Sequence, residues 1–222
     1  MTDTHSTTKG AAPENPSRGY VQWLVLVATP ILLGALFLIH PDGSGGLHGL
    51  RSSAGTWLYL HVAMLPLLGS LGVAFYVLLD GYEGTVAAVG RAGVVIYMTF
   101  YIAFEAIAGI ANGLLVHGTH TLAAEHQKGI AAAVDALAVP SMALGMLGSL
   151  GALLAVGAIG ILLRRSGAPM VPVVLLGGAP FATVFHAGTP LDAVGMGLFL
   201  AGVVWIELRW RSGDEHHATQ AT

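Results

Sequence analysis

The sequence predicts an all-α integral membrane protein, a six-helix transmembrane bundle with its N-terminus and C-terminus both cytoplasmic. Three observations lead there. The 222 residues are 55% hydrophobic and only 9% charged, with a mean hydropathy of +0.73. Soluble domains carry about a quarter charged residues, so lipid is the expected solvent. Several apolar runs also exceed the ~18 residues that mark a spanning helix. Finally, the basic residues fall unevenly on alternate connections, which sets orientation.

The first run, at about 20–39, is too long for a signal-peptide core and lacks a small-x-small cleavage site, so it reads as a permanent span. Ahead of it, residues 1–19 are rich in Thr, Ser, Pro and charge and read as a disordered cytoplasmic tail. Further spans follow at about 57–79, 93–116, 136–163, 169–186 and 190–208, completing a membrane domain over 20–211. Residues 212–222 form a second cytoplasmic tail. Turn chemistry separates the spans at Pro41-Asp42-Gly43-Ser44-Gly45-Gly46, at Asp80-Gly81-Tyr82-Glu83-Gly84 and at Gly188-Thr189-Pro190. The alanine-rich 117–135 connection reads as a short surface helix leading into span four.

With the N-terminus inside, Lys9, Arg18, Arg91, Arg164, Arg165, Arg209 and Arg211 are cytoplasmic, and only Arg51 and Lys128 are outside. Trp23, Trp57, Trp205 and Trp210 lie near span ends, as interfacial anchors do. The expected location is therefore a cell membrane, taken as a bacterial inner membrane, with the lipid bilayer as the main partner. The basic residues are scattered singly or in pairs, so nucleic acid is not an expected partner. Zero cysteines remove disulfides, thiolate metal sites and thiol catalysis.

Small residues mark where helices meet. Gly109 and Gly113 form a small-xxx-small pair, and Gly145, Gly148 and Ser149 line part of span four. Such positions let membrane helices approach closely. Span five is different, because Pro172, Gly177, Gly178, Pro180 and Thr183 interrupt a short apolar run and free backbone groups that need partners. Glycine-rich bundles also associate with one another, which leaves room for a homo-oligomer or a partner in a membrane complex.

This orientation puts seven of the ten histidines on the outer side: His40, His48, His61, His117, His120, His126 and His186. Imidazole is the commonest metal-ligating side chain, and three or four of them with a carboxylate would suit zinc, copper or iron. His61, His117, His120, His186 and His40 are the candidate ligands. His48 and His126 read as loop bystanders. Asp42, Glu125, Asp135 and Asp192 are the outer carboxylates. His40 or His61 facing His117, His120 or His186 would also supply a bis-histidine haem pair. No HExxH or histidine-box spacing is present.

Glu105 is the sharpest single residue, and the candidate catalytic group. It lies near the middle of span three, where an ionised acid is costly and faces the bundle interior. Tyr101, Gly109 and Asn112 fall on the same helical face. Counting ~1.5 Å per residue from the span ends puts Glu105 about 18 Å from His117 and around 12 Å below His61. The expectation is thus an outer histidine site separated in depth from a midplane acid. Three functions remain open at this level: a metal or haem site in a membrane enzyme or redox protein, a proton- or ion-coupled transporter using Glu105 and broken span five, and an accessory subunit without a catalytic site.

Overall fold

The computed structural model describes residues 16–42, 50–119, 121–186 and 190–211. His5, His48, His120, His216 and His217 therefore lie outside the described residues, as do the two tails apart from residues 16–19. Among the described residues the chain is helical, with no strand. Five helices are long and apolar enough to cross a membrane: α1 (Gly19–Leu38), α2 (Ala54–Leu78), α3 (Thr85–Thr119), α4 (Glu125–Arg165) and α6 (Pro190–Leu208). α5 (Met170–Val184) is apolar but shorter.

Apolar side chains cover both the inside and the outside of this bundle. Leu33, Met64, Leu71, Phe75, Ile159 and Phe199 are buried between helices. Val95, Met146, Val174 and Leu38 are 64–69% exposed on its perimeter. A helix that is hydrophobic all round belongs in lipid or in a large core, and a chain this small has no second shell to cover the outer face. The perimeter is thus the surface a bilayer would solvate.

Helix lengths depart from those read in the sequence, each for a local reason. α3 begins at Thr85 rather than 93, because Gly84 (φ +87°) ends the preceding turn and leaves the residues after it free to coil. The alanine-rich stretch before span four is not a separate helix. It is continuous with α4, which runs unbroken to Arg165 through Pro140. α5 is two short pieces, Met170–Leu175 and Gly178–Val184, joined through Leu176 and Gly177. Pro180 supplies no N–H, which weakens the ladder at the break.

Glycines set the closest approaches. α3 and α4 make the most extensive helix pair in the structure, and their backbones meet at Gly93, Gly148 and Gly151. A Cβ on Gly93 would come within 2.6 Å of the Ala155 nitrogen, and one on Gly148 within 2.6 Å of the Tyr101 nitrogen. α5 meets α6 in the same way, with Gly195 facing the backbone of Gly178. This is the small-residue packing by which membrane helices cohere without a hydrophobic drive between them.

Gly151→Val should therefore destabilise the bundle by about 1–3 kcal/mol or more, the usual cost of forcing volume into a packed contact. Gly157→Ala, whose added Cβ meets nothing within 4 Å, should stay within about 0.5 kcal/mol of the parent. Thermal unfolding in detergent checks the pair.

Candidate functional site

One end of the bundle gathers the C-terminal ends of α1, α3 and α5 with the N-terminal ends of α2 and α6. Four ionisable side chains converge just inside it: His40 just past α1, His61 within α2, Glu105 within α3 and His186 just past α5. His40, His61 and Glu105 are buried, and His186 is partly so. Side-chain exposure is 2% at His61, 5% at His186 and 0% at Glu105, and His40 is 8% exposed.

The sequence builds this convergence locally. α3 changes to a π-helical turn over Glu105–Ala111, a widening that recurs at functional sites. Glu105 opens that turn. Gly109 lies in it, and a Cβ there would overlap the His61 ring, so only glycine lets α2 and α3 approach this closely. The Trp57 indole nitrogen donates to the Gly109 carbonyl at 3.0 Å, closing the same contact from the other side. The Trp57 ring also lies over His61, with centroids 4.5 Å apart. From α5, Thr183 accepts a hydrogen bond from the Tyr101 hydroxyl through its carbonyl at 3.1 Å, tying that short helix to α3 and fixing where His186 emerges.

Two backbone carbonyls then decide the protonation of two rings. His61 Nδ1 lies 2.7 Å from the Trp57 carbonyl oxygen, and His40 Nδ1 lies 2.8 Å from that of Pro41. A carbonyl only accepts, so Nδ1 carries the hydrogen in both rings and a neutral imidazole is left with a lone pair on Nε2. Burial holds the His40 imidazole below its ordinary pKa, with the Pro41 hydrogen bond opposing it. The two Nε2 atoms face each other at 3.3 Å.

The other two members complete the cluster. Glu105 Oε1 is 3.2 Å from His186 Nε2, and Oε2 is 3.7 Å from His61 Nε2. One nitrogen from each of His40, His61 and His186 can be chosen so that all three lie within 4.8 Å of one another. Yet both Glu105 oxygens and both His186 nitrogens are buried without a hydrogen bond. Asn112 Oδ1 and Asp192 Oδ2 share that condition nearby in α3 and α6. Glu105 Oε1 and His186 Nε2 can satisfy each other through one proton, which leaves Glu105 Oε2 and His186 Nδ1 as buried atoms without a partner, an uncommon condition.

The structure thus brings His40, His61, His186 and Glu105 together, and leaves His117 out of the group. His117 packs against Gly55 and the Tyr59 ring, whose centroid is 6.4 Å away. His126 is exposed at the start of α4. Glu105 is in contact range of His61 and His186, not about 12 Å beneath His61 as residue counting predicts. Residue counting assumes that the span ends lie in one plane, and they do not. α3 runs on to Thr119 past its neighbours, while α5 stops short at Val184, so Glu105, His61 and His186 share a level.

Apolar surface adjoins the cluster. A cleft of ≈ 270 Å³ between α3, α4 and α5 is lined by Phe104, Gly145, Met146, Ser149, Thr183 and His186 among others. Its mouth is on the lipid-facing perimeter, where Met142 and Met146 are 63% and 69% exposed. His186 is the imidazole at its inner wall.

Compared with protein-family models, with curated proteins and with solved structures, the chain matches none.

Gly109→Ala should drive the His61 ring from its place and cost about 1–3 kcal/mol of stability. The Trp57 indole lies on that ring, so its emission should shift as well. Trp57 shares the chain with three other tryptophans, and the comparison should be made in a background where Trp23, Trp205 and Trp210 are phenylalanine.

Proposed function

We propose that this chain is a multi-pass membrane metalloprotein that holds one divalent ion, zinc by geometry, between His40, His61, His186 and Glu105. The observation that carries the reading is the pair of unprotonated Nε2 atoms 3.3 Å apart. Two lone pairs facing each other in a buried site repel unless a cation lies between them. Their spacing is also what tetrahedral zinc needs, since Zn–N bonds of about 2.0–2.1 Å give an edge of about 3.3–3.4 Å. The 3.2 Å between Glu105 and His186 is close to a second such edge.

The surroundings support the same reading. Ligating histidines donate their other ring N–H to a carbonyl or carboxylate, which fixes tautomer and orientation. Trp57 and Pro41 do this for His61 and His40. Imidazole ligands suit zinc, copper and iron, and a single carboxylate halves the charge of a divalent ion in a dry site. A porphyrin fits less well. The His40 ring has Trp57, His61 and His186 at centroid distances of 4.9–5.0 Å, which leaves no plane for a macrocycle.

In this reading six spans put both termini in the cytoplasm and the cluster toward the outer face. The lateral cleft would admit a lipophilic molecule to His186, where the ion would supply Lewis acidity toward an oxygen it carries. Glu105 would help to hold the ion and would be the carboxylate base nearest to it.

A second reading rests on Glu105 Oε1 lying 3.2 Å from His186 Nε2. The cation among the imidazoles is then a proton, and the cluster is a relay for proton-coupled transport.

Protein purified without chelator should carry about one zinc per chain, and His61→Ala with His186→Ala together should remove it. Adding zinc to stripped protein at about 100 times its Kd should stabilise the fold by about 2.7 kcal/mol, read as a rise in Tm. Absence of both effects sinks the metal reading. If Glu105→Gln then abolishes pH-driven flux in liposomes while the melting curve is kept, the proton reading replaces it.

A further inference from the structure

A second concave surface lies away from the histidine cluster. It is a groove of ≈ 700 Å³ between α4 and α5, running from Leu153 and Pro180 to Arg164 and Arg165. Its existence traces to particular residues. Gly157 presents no side chain and has nothing within 4 Å of its Cβ position, and Gly160 only meets Val173. The break in α5 at Leu176–Gly177 interrupts the wall opposite.

We propose that this groove binds an anionic membrane phospholipid, with one acyl chain lying along α4 and the phosphate held by Arg164 and Arg165. Three features argue for that occupant. The floor and walls are apolar, formed by Val156, Ile161, Val173 and Val174 among others. Leu153 to Arg165 spans about 18 Å at ~1.5 Å per residue, close to the ~15 Å depth of one leaflet's hydrocarbon. The charge sits at one end only. No acid lines the groove, and neither arginine has a carboxylate partner among the described residues.

The arginines are suited to a phosphate. The Arg164 guanidinium donates to the Ala168 carbonyl in the turn that follows α4, which holds it at the groove's mouth. Arg165 is exposed beside it. Guanidinium forks match phosphate oxygens in pairs, and basic pockets between membrane helices recognise anionic headgroups. A zwitterionic lipid offers the same chains with its phosphate already neutralised, so the site discriminates by net charge.

Native mass spectrometry of the full chain in detergent tests this with phosphatidylglycerol and phosphatidylcholine of identical acyl chains. Phosphatidylglycerol should be retained at one copy and at least ~5-fold more strongly than phosphatidylcholine. Each of Arg164→Gln and Arg165→Gln should weaken it by ~5-fold, as about 1 kcal/mol per basic residue implies. Gly157→Leu, which fills the groove but keeps both arginines, should weaken it as well. Should Gly157→Leu fail to fold, Val174→Trp fills the same groove from a residue 64% exposed and tolerant of bulk. Equal retention of the two lipids overturns the proposal. So does undiminished phosphatidylglycerol binding in a folded groove-filled variant, because the arginines would then act as surface charge alone.

Discussion

A carboxylate with no exposed surface in an apolar bundle must find its partners among the helices around it, and that constraint organises one end of this molecule. Glu105 is 0% exposed and has no hydrogen bond from its own helix. What surrounds it are imidazoles delivered from three other elements. Isolated burial of such a group is costly, and the cost falls only when a proton or a metal ion balances it. The positions of α2 and α5 at this end are those from which His61 and His186 reach it, and α1 brings His40 against His61.

Rigid packing elsewhere lets a few side chains hold that geometry. The backbone contact of α3 with α4 at Gly93, Gly148 and Gly151 fixes the helix that carries Glu105. Gly109 then fixes the distance from that helix to His61, and the Tyr101–Thr183 hydrogen bond fixes the emergence of His186. Each link is short and made by small residues or backbone atoms. A shift of one helix by an added methyl would therefore be felt at the cluster, with little side-chain freedom to absorb it.

The sequence made part of this legible. The cost of a mid-span acid identified Glu105, and small-residue spacing identified Gly109, Gly145 and Gly148 as contact positions. The outer-side histidines included all three that converge. What sequence could not carry was relative depth. Residue counting from span ends assumes flush ends, and the long α3 and short α5 break that assumption. Of the five candidate ligands, the structure brings His40, His61 and His186 together and leaves His117 apart, while His120 lies outside the described residues. Trp57 read as an interfacial anchor, although it lies four residues before His61 and so one turn away on the same face. In the structure its ring packs tilted against that of His61, and its carbonyl fixes the tautomer.

The choice between an ion and a proton turns on what each leaves unsatisfied. One proton between the His40 and His61 Nε2 atoms relieves their repulsion and gives Glu105 an opposite charge. His186 needs no second proton, because a neutral ring with its hydrogen on Nε2 donates to Glu105 Oε1 at 3.2 Å, but its Nδ1 is then left without a partner. A divalent ion is a single particle that accepts lone pairs from all three imidazoles and the carboxylate at once. It also needs every ligand deprotonated, which is the state that the Trp57 and Pro41 carbonyls impose on two of them. The backbone has therefore arranged these rings as acceptors before any ligand arrives. That arrangement fits an ion as it stands, whereas without one it needs a proton between the His40 and His61 Nε2 atoms. The asymmetry favours the metal.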